Sequence, residues 1–119
     1  MAERRRSQRV PVHDDFQVTS GVTGETVGHL RDLSRHGMVI LGSAEFEVGH
    51  LYRLIVSLPE AVLNCHYLEL VVLCRWHRSE ASCSTHKAGF EFIGLSHRSE
   101  TVIRQIQVDY AFSASETDL

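Results

Sequence analysis

Six short apolar runs follow one another across the first ninety residues with no helical period between them, and this spacing is the strongest constraint on the fold. The runs are rich in Val, Ile, Leu and Phe and are separated by Gly, Ser, Asp and Pro, the pattern of strands punctuated by turns. From Val10 to Val18 the residues Val10, Val12, Phe16 and Val18 share one parity, interrupted by Asp14, before Gly21 and Gly24 mark a turn. Further runs cover 26–33 and 38–42. A fourth, over 50–58, aligns Tyr52, Leu54, Val56 and Leu58 on one face, and Pro59 is expected to stop it. In the fifth, over 67–78, the even positions Leu68, Leu70, Val72, Cys74 and Trp76 form a continuous apolar face, so Trp76 reads as a core residue. Its odd positions mix Val71 and Leu73 with Glu69, Arg75 and His77, so part of that side is expected to be covered as well. The sixth, over 86–93, sets Ala88, Phe90 and Phe92 against Gly89, Glu91 and Ile93.

After Leu95 the period changes. Val102, Ile103, Ile106 and Tyr110 recur at helical spacing, with Ser96 as N-cap and Glu100 in the first turn, which predicts a helix over 97–111. Six strands without helices between them pair antiparallel, and closing them into a barrel removes exposed edges. The expected fold is therefore mainly β: a six-stranded antiparallel β-barrel with one C-terminal α-helix over an opening or a flank. Residues 1–9 read as a flexible N-terminal arm, 10–112 as the barrel and helix, and the small polar residues 113–119 as a disordered tail.

A chain of 119 residues with 43% apolar and 23% charged residues has the size and balance of one globular domain. The net charge of −3 argues against a general nucleic-acid-coating role. Charge is nevertheless uneven, because Arg4, Arg5, Arg6 and Arg9 against Glu3 leave the first nine residues at +3 and the remainder at −6. No apolar run follows the basic start, so no signal peptide is read, and no stretch of about 18 apolar residues predicts membrane insertion. Cys65, Cys74 and Cys83 cannot all pair with one another, and the reading is a cytoplasmic protein with free thiols.

Two segments carry recognisable chemistry. Arg5 and Arg9 sit four apart ahead of the first strand, and Asp32-Leu33-Ser34-Arg35-His36-Gly37 lies between the second and third. Taken singly, the first is an ordinary solvated arginine cluster and the second ordinary turn chemistry, with Asp and Ser bonding nearby backbone and Gly taking a positive φ. Together, in this order and spacing, Arg-x-x-x-Arg and Asp-x-Ser-x-x-Gly resemble the PilZ family, bacterial receptors for cyclic di-GMP. The Glu3-Arg4-Arg5 lead-in, the Gly89-Phe90-Glu91-Phe92 strand and the closing amphipathic helix extend the resemblance over nearly the whole chain.

The resemblance implies a six-stranded barrel with a C-terminal helix that binds cyclic di-GMP where the N-terminal arm meets the barrel surface. It assigns Arg5 and Arg9 to phosphate oxygens or the O6/N7 edge of guanine, contacts that suit a guanidinium fork. Asp32, an acceptor when ionised, suits the guanine N1–H and N2 donors, and Ser34 can donate to a phosphate. Gly37 is expected to allow a tight turn and keep a side chain out of the ligand's way. Arg4, the residue before the first motif arginine, favours an intercalated ligand pair over a single molecule, leaving one or two ligands open. Arg6, Arg35 and Trp76 are weaker candidates, the last by stacking on a guanine. Mutual repulsion should leave the arm loosely ordered until a doubly anionic ligand clamps it onto the barrel.

The implied role is a stand-alone receptor that relays the signal to an effector protein it does not identify, with no cofactor beyond the ligand. A homodimer is left open. The alternative is a protein–protein module on the same scaffold that does not respond to the nucleotide, and a nucleic-acid binder using the basic arm is a third, disfavoured reading. No nucleophile–base pair or paired carboxylates suggest an enzyme. Cys74-Arg75-Trp76-His77 and Cys83-Ser84-Thr85-His86 invite a zinc reading, which strand geometry disfavours because residues three apart point to opposite faces.

Overall fold

The computed structural model describes residues 16–80 and 84–110. Six strands, β1 (Gln17–Ser20), β2 (Thr26–Leu33), β3 (Gly37–Gly42), β4 (Leu51–Val62), β5 (Cys65–Glu80) and β6 (Thr85–Phe92), precede one helix, α1 (His97–Tyr110). Every neighbouring pair is antiparallel, and the order β1-β2-β3-β6-β5-β4 closes into a barrel through the β1–β4 ladder that sets Val18 opposite Val56. This is the predicted mainly β architecture. The expected arm (1–9), the first part of the run from Val10 and the tail (113–119) fall outside the described residues.

Alternation fills the barrel. Val18, Leu30, Ile40, Leu54, Val72 and Ala88 are each no more than 2% exposed, one parity from each strand meeting inside. A ring of edge-to-face aromatics closes the core beneath the β3–β4 loop, with Phe46 centred 4.9 Å from both Tyr52 and Phe90. Helix α1 starts at Ser96, whose hydroxyl accepts the Ser99 N–H at 3.0 Å, and buries Val102, Ile103 and Ile106 against the barrel. It spans from the β4–β5 turn, where Arg98 donates to the Leu63 carbonyl, to the end of β2, where Gln107 Nε2 donates to the Leu33 carbonyl at 3.3 Å. Its last described residue, Tyr110, packs edge-to-face on Phe16 at the start of β1. Among the described residues no helix is long and apolar enough to cross a membrane.

Two bulges change which side chains face out. In β2 the register moves from Leu30↔Ile40 to Asp32↔Val39, making Arg31 an extra residue. In β5 it moves from Cys74↔Phe90 to Trp76↔Gly89, with Arg75 extra. The second bulge corrects the reading of Trp76 as a core residue. Parity resets at Arg75, and Trp76 lies half-buried on the outer surface. It also removes the parity argument against the first Cys-x-x-His pair. His77 stands opposite the buried Ala88, on the same inner side as Cys74. His77 instead stacks on His86, with Nε2 and Nδ1 3.0 Å apart, and among the described residues no group of three His, Cys, Asp or Glu is arranged to hold a metal. Cys83 lies outside the described residues.

Two further expectations are revised. Strand β4 runs through Pro59, because its ladder with β5 is already interrupted between Ser57 and Val62 and the missing N–H costs no rung. Gly37 does not adopt a positive φ. Its need for glycine is a close approach, since a Cβ there would lie 2.0 Å from the Phe90 carbonyl oxygen of β6.

Gly37→Ala should therefore destabilise the protein by about 1–3 kcal/mol without any ligand, because backbone must move to admit the methyl. Urea melts of the two proteins measure this, and equal midpoints would contradict the β3–β6 packing. Burial pushes the Cys74 thiol up from its ordinary pKa, while a hydrogen bond with the Trp76 backbone works the other way. In a Cys83→Ser background, Ellman's reagent at neutral pH should titrate the half-buried Cys65 in the native state and Cys74 only after unfolding.

Candidate functional site

The sheet order places β2, β3, β6 and β5 side by side, and their outer surface forms an open groove of about 570 Å³, a size typical of small-ligand sites. Asp32 and Ser34 line one wall, Arg75 and Trp76 the other, with Gly37 and Glu91 between them. Each wall rests on a bulge. On β2 the extra residue lets Leu30 and Leu33 both point into the core, at 0% and 2% exposure, while Asp32 faces out. On β5 it brings the consecutive residues Arg75 and Trp76 to the same groove, which a regular strand cannot do.

The Asp32–Gly37 segment is a turn held by Ser34. The Ser34 N–H donates to the Gly37 carbonyl at 2.9 Å, and Ser34 Oγ accepts the N–H groups of His36 and Gly37 at 3.2 and 3.1 Å. The hydroxyl proton points to the Gly37 carbonyl over a longer 3.3 Å. Ser34 thus shapes the turn first, and only that proton is available to an incoming acceptor. His36 is tied across the sheet, with the Phe92 N–H donating to its carbonyl at 2.9 Å. These hydrogen bonds brace the turn against β6.

Across the floor, Gly89 of β6 lies under the indole of Trp76. A Cβ at Gly89 would sit 2.2 Å from Trp76 Nε1, so glycine is what lets the ring lie on the strand. The Arg78 guanidinium carbon is 5.3 Å from the indole centroid, a cation–π contact on the same outer surface. Arg75 Nη1 donates to Glu91 Oε1 at 2.8 Å.

Of the residues singled out by sequence, Asp32, Ser34, Gly37 and Trp76 converge on this groove. Arg35 is exposed on the turn and does not line it. Arg4, Arg5, Arg6 and Arg9 lie outside the described residues. Arg75, Glu91 and Gly89 were not read as site residues, and the signal that marks them is the bulge, which alternation does not reveal. Electrostatically the described groove holds two carboxylates, Asp32 and Glu91, and one guanidinium, Arg75. It carries acceptors for a base edge and an aromatic face, but little net attraction for a dianion.

The antiparallel register also fixes where the chain arrives. The Phe16 carbonyl accepts the Leu30 N–H at 2.9 Å and Gln17 faces His29, so the N-terminal end of β1 points along β2 towards Asp32.

Comparison with known proteins adds a family and a set of folds. The family model for the PilZ domain matches residues 3–107. The PilZ domain with c-di-GMP of YcgR from Escherichia coli superimposes with a TM-score of 0.65 at 19% identity, covering 91% of this chain and 90% of that one. K. pneumonia MrkH in its apo state gives 0.66 at 15% identity, over 92% of this chain and 52% of that one. The Bacillus subtilis inhibitor of motility MotI/DgrA gives 0.60 at 18%, over 82% and 46%. The chain spans about half the length of the last two. No curated protein sequence matches it. With a family match over most of its length and a closed six-stranded barrel capped by one helix, the chain belongs to the PilZ domain family.

Proposed function

We propose that this protein is a receptor for cyclic di-GMP that relays binding to a partner protein. The observation that carries the reading is the convergence of Asp32, the Ser34–Gly37 turn and Trp76 on one outward groove, towards which the N-terminal end of β1 is directed. A solved complex of the similar PilZ domain of YcgR contains c-di-GMP, which supports the same ligand class here.

The chemistry divides between two parts of the chain. Asp32 accepts from the N1–H and N2 donors of a guanine, and the Trp76 ring offers a stacking face, where a base takes the place of the Arg78 guanidinium. The phosphates need more positive charge than the single guanidinium of the described groove supplies. Arg5 and Arg9 supply it, with Arg4 and Arg6 adding to the field. Arg9 lies seven positions before Phe16, a reach of up to roughly 25 Å, enough to bring its guanidinium to the groove. Binding therefore clamps the arginine segment onto the barrel and creates a composite surface, the element a partner reads. Elsewhere, β4 and β5 expose Leu51, Tyr67 and Val71 at 61%, 58% and 43%, apolar side chains that a protein partner can cover. These exposed side chains also suit the alternative of an interaction module indifferent to the nucleotide, so ligand response is the deciding measurement.

Calorimetric titration at physiological salt with cyclic di-GMP, GTP and a short DNA duplex should give binding to the first alone. Arg5→Ala or Arg9→Ala should abolish it while leaving the melting curve intact, and Asp32→Ala should weaken it by about 1–3 kcal/mol through loss of a guanine contact. No heat from cyclic di-GMP would leave the interaction module standing, and duplex binding that falls steeply with salt would favour a nucleic-acid role. Hydrogen exchange should show residues 4–9 gaining protection on addition of cyclic di-GMP, and equal protection in both conditions would refute the clamp.

A further inference from the structure

We infer that Arg75 is a further phosphate-binding residue of this groove, and that Glu91 competes with the phosphate for it and thereby sets the affinity; this rests on the receptor reading above. Three observations meet at this pair. The β5 bulge exists at Arg75 itself and turns its side chain outward beside Trp76. Glu91 stands opposite Gly37 in the β3–β6 ladder and opposite Leu73 in the β5–β6 ladder, and it lines the same groove as Arg75. The two charges meet at 2.8 Å.

The exposure of the pair decides its role. With side chains 61% and 46% exposed, this is a surface ion pair, worth at most about 1 kcal/mol. Such a bond holds a guanidinium in a chosen place and yields it readily to a better acceptor. A phosphate diester offers the same planar fork two oxygens that share one negative charge, as a carboxylate does. When the phosphate takes Arg75, Glu91 is left as an uncompensated negative charge beside a dianion. Removing that carboxylate should therefore strengthen binding, whereas removing Arg75 should weaken it. A purely structural cross-strand pair predicts no opposition of sign.

Affinity for cyclic di-GMP is measured by calorimetry over a series of salt concentrations for the wild type, Arg75→Gln, Glu91→Gln and the double variant. Arg75→Gln should bind about tenfold more weakly or worse, as for loss of a hydrogen bond between charged groups, and show a shallower salt dependence. Glu91→Gln should bind several-fold more tightly. In the Glu91→Gln background, loss of Arg75 should cost more than in the wild type, because the competitor is gone. Wild-type binding with both single variants within twofold of it overturns this inference and leaves the receptor reading intact. Weaker binding by Arg75→Gln with an unchanged salt slope overturns the phosphate assignment. Absence of wild-type binding sinks the receptor reading together with this one. Should Arg75→Gln fail to fold, the tightening by Glu91→Gln remains the test, and unchanged or weaker binding there overturns the proposal.

Discussion

In a closed barrel every strand offers one face to the core, and a single inserted residue is the only inexpensive way to change which face that is. Arg31 in β2 and Arg75 in β5 are two such insertions, placed on the strands that flank the β3–β6 pair. Without the first, the parity that buries Leu30 would carry Asp32 inward and Leu33 out. Without the second, the parity that buries Cys74 would place Trp76 in a core already occupied by Phe90 and Phe46. The groove exists because both strands switch phase at the same level of the barrel.

This origin has an energetic consequence. A bulge gives up a regular rung of backbone hydrogen bonding, and it is stable here because the surroundings make up the difference. The Cys74 backbone pairs with the segment leading into β4, its carbonyl accepting the Gly49 N–H at 2.8 Å and its N–H donating to His50 at 3.0 Å. On the β2 side, Ser34 satisfies two backbone donors of the adjoining turn, and Gln107 of α1 donates to the Leu33 carbonyl. The walls of the groove are therefore held by strands, a turn and the helix together. Such a surface suits recognition of a rigid ligand, since little is spent on ordering it when the ligand arrives.

The groove is braced by hydrogen bonds but electrostatically incomplete. Its described residues present acceptors and an aromatic surface, while the densest positive charge of the chain sits in the first nine residues. In the proposed receptor, this separation of shape from charge makes binding of an anion depend on bringing two segments together, which converts a binding event into a change of surface. Helix α1 touches Leu33 at the edge of the turn and Phe16 at the foot of β1.

Local chemistry was legible in the sequence wherever it depended on period or on a single short-range bond. The six runs became six strands, the change of period after Leu95 became α1, Ser96 capped it, and the Asp32–Gly37 turn formed with Leu33 buried. What the sequence alone could not decide was where the period would slip. A residue that resets parity looks like any other until its partner strand is in place, so Trp76 read as core and Arg75 as one member of a mixed face. Gly37 carried the right identity for a reason visible only in space, the carbonyl of Phe90 at its back. Alternation and capping are properties of neighbours in the chain, and the residues themselves determined them. Register, bulges and close approach are properties of pairs distant in the chain, so only the closed barrel decided which side chains share the groove.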